Sequence, residues 1–229
     1  MEIHPIARIY TDFKEKFGIP RQSGRADAAI GRIIFEKSYR NPDMIRGIEK
    51  FSHLWVIFDF SKAHRETLSP TVRPPRLGGN TRVGVFASRS PYRPNFMGLS
   101  AVKLERIETT EKYGAVLIVS GVDILDGTPI YDIKPYLKYA DSIETACGSY
   151  GDELCGYALK VEIENGAVDI IPKDKLKVII QCLADDPRPS YQEDENRIYN
   201  MAFADFDVHF KVKGDTLSIV GADFINKDN

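Results

Sequence analysis

Ser100-Ala-Val-Lys-Leu-Glu-Arg-Ile-Glu-Thr-Thr-Glu-Lys-Tyr-Gly-Ala-Val-Leu-Ile-Val-Ser-Gly-Val122 holds two short apolar runs, 100–107 and 115–122, around a polar turn. Both runs are rich in Val, Ile and Leu, are only eight residues long, and are bounded by polar residues or Gly, which is the signature of strands. Working outward, residues 83–87, 53–60, 28–35 and 3–10 repeat the pattern between Gly, Pro, Asn or Asp boundaries. Asn41-Pro42-Asp43, followed by Met44, Ile45, Ile48 and Phe51, reads as one short helix. Many short strands with long polar connections predict a barrel or a sandwich.

After Ala140 the pattern changes. Residues 157–163 read as a strand, and Leu176, Ile179, Ile180 and Leu183 recur at helical spacing behind Pro172. Phe206, Val208, Phe210 and Val212 alternate strictly, Lys213-Gly214-Asp215 turns, and 217–220 returns. The fold class expected is therefore mainly β with an α+β appendage, divided at 1–140 and 141–229.

With 43% hydrophobic and 28% charged residues, the 229-residue chain has the composition of a soluble globular protein. The most apolar stretch, 54–60, is too short for a membrane helix and is interrupted by Asp59, so no membrane association is expected. Met1-Glu2-Ile3-His4-Pro5 has neither a basic leader nor an apolar core, so no export signal is expected either. Cys147, Cys155 and Cys182 form no CxxC pair, which predicts reduced thiols, a cytoplasmic setting and no metal.

The net charge of −2 conceals an asymmetry. Residues 1–140 hold 22 Lys and Arg against 15 Asp and Glu, whereas 141–229 hold 9 against 18. From Thr67 to Leu104 there is no acidic residue, yet Arg73, Arg76, Arg82, Arg89, Arg93 and Lys103 all fall there. Such a field suits a polyanion such as nucleic acid, although arginines paired with acids elsewhere in the chain would give the same count. The loop 69–80 (SPTVRPPRLGGN) is longer than a mere connector needs.

Five segments in order carry a resemblance: Lys16-Phe-Gly-Ile-Pro-Arg-Gln22, 47–55 (GIEKFSHLW), 72–100 (VRPPRLGGNTRVGVFASRSPYRPNFMGLS), 123–136 (DILDGTPIYDIKPY) and Asp186-Pro-Arg-Pro-Ser-Tyr191. Together they resemble the TrmO (TsaA-like) family of S-adenosylmethionine-dependent tRNA methyltransferases. The resemblance implies an N-terminal barrel-like domain that binds S-adenosylmethionine, a smaller C-terminal domain and a homodimer. The implied activity is N6-methylation of N6-threonylcarbamoyladenosine, at position 37 beside the anticodon of tRNA. The chain agrees in lacking the strand-linked glycine-rich loop of a Rossmann methyltransferase.

By position, the resemblance implies a cofactor site of Arg21, Gln22, Ser61, Lys62, Arg89, Leu99, Asp123, Ile124, Leu125 and Asp126. Arg89 suits a carboxylate, Asp126 suits the ribose hydroxyls or the ammonium, and backbone near Leu99 and Leu125 suits an adenine edge. Ser61-Lys62 departs from the His-Gln pair of bacterial members, which puts any side-chain role there in question. Asp132, Tyr92 and Tyr136 lie in matching motifs and are candidates for a general base. Arg73, Arg76, Arg82 and Arg93 are candidates for RNA contacts, and Tyr92 or Phe96 for stacking on the target base.

Simpler readings coexist. Arg89 can pair with a nearby carboxylate, Asp126-Gly127 can be only a turn, and Gly78-Gly79-Asn80 can be a turn without phosphate contact. His53 is expected near the core, and His64 lies outside the motifs and is assigned no role. Two other functions stay open: a non-catalytic RNA-binding barrel, and a methyltransferase acting on a small molecule.

Overall fold

The structure, a computed structural model, describes residues 2–77, 80–153, 155–189 and 194–225, with the backbone alone at Arg76 and Glu153. The Gly78-Gly79 pair, Ser190-Tyr191 of the last motif and the Arg76 side chain therefore lie outside the described residues. In chain order the strands are β1 (Ala7–Thr11), β2 (Ile30–Phe35), β3 (His53–Asp59), β4 (Thr71–Val72), β5 (Val83–Gly84), β6 (Met97–Thr110), β7 (Gly114–Ser120) and β8 (Thr128–Pro135). They continue as β9 (Lys160–Ile163), β10 (Tyr199–Phe203), β11 (Phe206–Lys213) and β12 (Thr216–Phe224).

Six of these close into a barrel in the order β1-β2-β7-β6-β3-β8, which is the barrel alternative of the sequence reading. Closure follows from alternation: β1 reads buried-exposed from Ala7 to Thr11, and β3 buries Leu54, Val56 and Phe58. The interior is filled by side chains rather than open, and two glycines make room for them. A Cβ at Gly31 would come within 2.8 Å of Ile9, and one at Gly98 within 2.3 Å of the Phe58 ring.

Several elements differ from expectation. β8 closes the barrel between β1 and β3, although its segment reads as motif rather than strand in sequence. Residues 83–87 form only the two-residue β5 and then a 3-10 turn, Val85–Ala87, because β5 pairs with the equally short β4 in a ribbon. The single helix expected after Asn41 is two 3-10 turns, Pro42–Ile45 and Ile48–Lys50, separated at Gly47 by a φ of +88°.

The second sheet runs β10-β11-β12-β9, with β9 parallel to β12 and the helix Lys173–Ala184 between them in sequence. That helix buries Val178, Ile179, Cys182 and Leu183, with Leu176 partly covered, so its core face is turned slightly from the one predicted. The segment joining β1 to β2 runs along this sheet. Phe13 meets Phe203 edge-on at 5.4 Å, and Phe17 stacks on Phe210 at 6.4 Å. The Ala204 N–H donates to the Asp12 carbonyl, and Gly18, at φ +85°, leaves no room for a Cβ beside Met201. Residues 12–25 are thus clamped between barrel and sheet, and they deliver Arg21 and Gln22 to the barrel mouth.

Candidate active site at the barrel mouth

A cleft of about 510 Å³ opens at one end of the barrel. Four connections build it: 19–22 before β2, the end of β3 with 60–63, 88–93 before β6, and 123–125 before β8. Loops at one barrel end are held by separate strands, so residues distant in sequence converge without strain on the barrel itself.

Nine of the ten residues implied for a cofactor line this cleft: Arg21, Gln22, Ser61, Lys62, Arg89, Leu99, Asp123, Ile124 and Leu125. Arg89 is exposed and donates to the Gln22 side-chain carbonyl, so the two loops meet across the cleft. Asp123 accepts a 2.6 Å hydrogen bond from Ser100 Oγ. Burial pushes the Asp123 carboxyl up to about 6, against the opposing pull of Ser100, the Ser23 backbone and Arg89. Leu99 faces the opening at 56% exposure, whereas Ile124 is buried in the core and its carbonyl accepts from Thr11 Oγ1.

Asp126 is placed elsewhere. Its Oδ1 accepts the Thr11 N–H at 2.9 Å and its Oδ2 holds Lys14 Nζ at 2.8 Å, clipping the 123–127 loop to the end of β1. Arg21 lines the cleft, yet its guanidinium donates backward to the carbonyls of Asp186 and Arg188 at 3.2 and 3.1 Å.

None of the three candidate bases is among the residues that line the cleft. Asp132 pairs with Lys134 at 3.2 Å and accepts the Ile133 N–H. Tyr92 lies under the Arg65 guanidinium, 3.5 Å from its ring centroid, and Tyr136 packs on Trp55 at 5.4 Å. Of the candidate RNA arginines, Arg73 and Arg82 are exposed around the β4–β5 ribbon, and Arg82 donates to Thr71 Oγ1. Arg93 instead lines the cleft and donates to the Ser88 carbonyl at 2.7 Å. His53, expected near the core, is exposed beside Ser52.

Sequence reasoning missed Lys16, Trp55, Asp59 and Ser100 among the lining residues. Asp59 had a visible signal: a carboxylate in an apolar strand is costly to bury unless it has partners. It is 7% exposed, and its Oδ1 lies 2.7 Å from His64 Nε2. Among the described residues, no three His, Cys, Asp or Glu side chains converge as metal ligands.

Chemically, the cleft offers a guanidinium, a buried carboxylate with a hydroxyl partner, and apolar walls from Ile19, Phe60 and Leu125. This donor set fits a ligand that carries an amino-acid zwitterion and a flat, less polar group.

Residues 8–142 match the model of the tRNA-methyltransferase O N-terminal domain, and residues 158–224 match that of the TrmO C-terminal domain. The chain is 39% identical over 219 residues to a tRNA (adenine(37)-N6)-methyltransferase of Escherichia coli K12, covering 92% of this chain and 93% of that one. A Pseudomonas aeruginosa protein described as a candidate S-adenosylmethionine-dependent methyltransferase is 40% identical over 217 residues, or 91% of each chain. A crystal structure of TrmO from Pseudomonas aeruginosa superposes with a TM-score of 0.78 at 32% identity, covering 97% of this chain and 98% of that one.

Proposed function

The chain belongs to the tRNA-methyltransferase O family, and from that membership we propose how its cleft works and which nucleoside it accepts. It is an S-adenosylmethionine-dependent methyltransferase acting on N6 of adenine 37 in tRNA. The observation that carries the reading onto this structure is the meeting of Arg89, Asp123 and Ser100 in one cleft large enough for a nucleoside-sized ligand.

The donor set fits S-adenosylmethionine, whose sulfonium supplies the methyl group when bound. Arg89 holds the carboxylate end, with Gln22 fixing the guanidinium plane. Asp123 receives the ammonium. The apolar walls and the backbone at Leu99 and Leu125 take the adenine, and Ser61 and Lys62 close the rim. In this assignment Asp126 is a brace and Arg21 a strut between the cleft and the 186–188 segment that follows the helix.

The finer substrate we propose is adenine 37 already carrying N6-threonylcarbamoyl. Arg93 stands at the rim with one N–H on Ser88 and others to offer a carboxylate. A site built around that anion leaves the arginine unpaired when plain adenosine arrives. The test compares methyl incorporation into tRNA with the threonylcarbamoyl group and into the same transcript without it. Incorporation confined to the modified tRNA is expected; equal rates on both would remove this finer substrate.

Arg73 and Arg82 are proposed to contact tRNA phosphates. Each change to alanine should flatten the slope of log K against log salt by about 0.9 while cofactor affinity holds. An unchanged slope would take them off the RNA face. We further propose a homodimer in the cytoplasm, for which light scattering at two chain masses is the check. In keeping with reduced thiols, Cys147 and Cys155 are free and exposed, while burial pushes the Cys182 thiol up to about 12.

A further inference from the structure

We propose that His64, oriented by Asp59, takes the proton from the nitrogen that is methylated. The proposal rests on the reading of the chain as an adenine-N6 methyltransferase. An exocyclic nitrogen on adenine has its lone pair drawn into the ring and still carries a hydrogen. Unless that hydrogen leaves as the new bond forms, the product nitrogen is a cation, so a base at the cleft rim lowers the barrier.

The geometry provides one. Asp59, the last residue of β3, lines the cleft and is almost fully buried. Its Oδ1 lies 2.7 Å from His64 Nε2. Tyr131 lies beside Asp59, and burial together with that carboxylate raises the phenol's pKa, so it stays protonated. A bulge puts Tyr131 there: the β3–β8 register shifts between Ile57 and Phe58, opposite Asp132 and Ile130, so Tyr131 is the extra residue and is aimed at the strand end.

A carboxylate facing Nε2 fixes the ring proton on that atom and leaves the Nδ1 lone pair unprotonated. Phe96 supports the imidazole face, with ring centroids 4.5 Å apart. Phe96 holds a left-handed φ of +50° and its carbonyl accepts the Phe60 N–H at 2.7 Å, so the support is tied to the strand end that carries Asp59. Phe60, Ser61, Lys62 and Ala63, the residues between Asp59 and His64, all line the cleft, and His64 is the next residue beyond that lining.

The step balances. The N–CH3 bond forms as the S–CH3 bond breaks, and the S–C electron pair stays on sulfur as a neutral thioether. The N–H pair becomes the nitrogen lone pair and the proton passes to Nδ1. The imidazolium then faces Asp59 and, with the side chain 53% exposed, gives its proton to water.

The test measures His64→Gln and Asp59→Asn for kcat and KM, with cofactor and tRNA affinities determined separately, and reads the His64 tautomer of the cofactor-free protein by 15N NMR. His64→Gln should lower kcat by about 10²–10³-fold and leave both affinities within about threefold. The wild-type ring should be protonated on Nε2, and Asp59→Asn should weaken that preference and lower kcat less. Added imidazole should restore part of the rate to His64→Gly. A fall in tRNA affinity with kcat unchanged would make His64 a base-stacking contact and overturn the proposal. An Nδ1-protonated ring would overturn it too. If the wild-type protein methylated no adenine 37, the functional reading would fail instead, while the tautomer would still report on the Asp59–His64 pair.

Discussion

Replacing Asp185 with alanine is expected to cost about 3 kcal/mol of stability and to loosen the cofactor site, although Asp185 itself does not line the cleft.

 The Asp185 side chain is 9% exposed and meets donors from both Arg21 and Arg25. Its Oδ2 accepts the Arg21 N–H at 3.2 Å, and its Oδ1 holds Arg25 Nε and Nη2 at 2.9 and 2.8 Å. Arg25 also donates to the carbonyls of Cys155 and Tyr157, so this one carboxylate joins the 21–25 segment to two parts of the second half of the chain. Removing it takes one acceptor from the Arg25 guanidinium, which keeps the Cys155 and Tyr157 carbonyls, and one from the Arg21 N–H, and losing a partner in this way costs more than the pair itself contributes. Arg25 is about a third exposed, so water recovers part of the loss and the lower end of the range for buried pairs applies. In a chain of this size that is a fall in Tm of roughly 6–12 °C. Cofactor affinity should drop as well, by about tenfold, because Gln22 and its partner Arg89 lose their fixed backing. Thermal denaturation and calorimetry on the two proteins measure both effects. A Tm within about 2 °C of wild type would show that the strut carries little of the stability.

Asp123→Asn should change both stability and cofactor binding, with opposite signs and a shared pH dependence. The folded-state pKa of Asp123, about 6, lies above its ordinary value of 3.8. Below pH 4 the group is protonated in both folded and unfolded chains and costs nothing. Between pH 4 and 6 the unfolded chain ionises first, so stability falls as pH rises, by up to about 3 kcal/mol once both forms are ionised. Asparagine keeps an acceptor for Ser100 Oγ but never ionises, so the variant should be the more stable protein at pH 7.5 and similar at pH 4. Cofactor affinity should run the other way. An ammonium favours the ionised carboxylate, so wild-type affinity should rise from pH 5 to 7.5, and the variant should be weaker and flat across that window. The expected gap at pH 7.5 is about 1.5–3 kcal/mol, the contribution of a hydrogen bond to a charged group. Calorimetry at three pH values decides it. Equal wild-type affinity at pH 5 and 7.5 would take Asp123 away from the ammonium.

The sequence by itself determined the mainly β character of the first 140 residues, because short apolar runs bounded by Gly, Pro, Asn or Asp are written in neighbouring residues and need no partner to be read. It also determined the hairpin of β11 and β12, whose turn at Gly214 takes a φ of +59°. The ordered motifs carried the residues implied for the cofactor, and nine of those ten line one cleft. Which way each side chain points was decided by tertiary structure. Asp126 sits one residue past the cleft lining, and the β1 end claims it through Thr11 and Lys14, contacts across more than a hundred residues. Arg21 turns backward because the Asp186 and Arg188 carbonyls lie behind it. β8 closes the barrel only because β1 and β3 present free edges on either side, a condition no local pattern contains. Asp59 and His64 are five residues apart in the chain, but a strand end, a bulge on β8 and the Phe96 ring together make them a pair. Local periodicity is a property of neighbouring residues, whereas burial, charge partners and side-chain direction depend on what the closed barrel brings alongside.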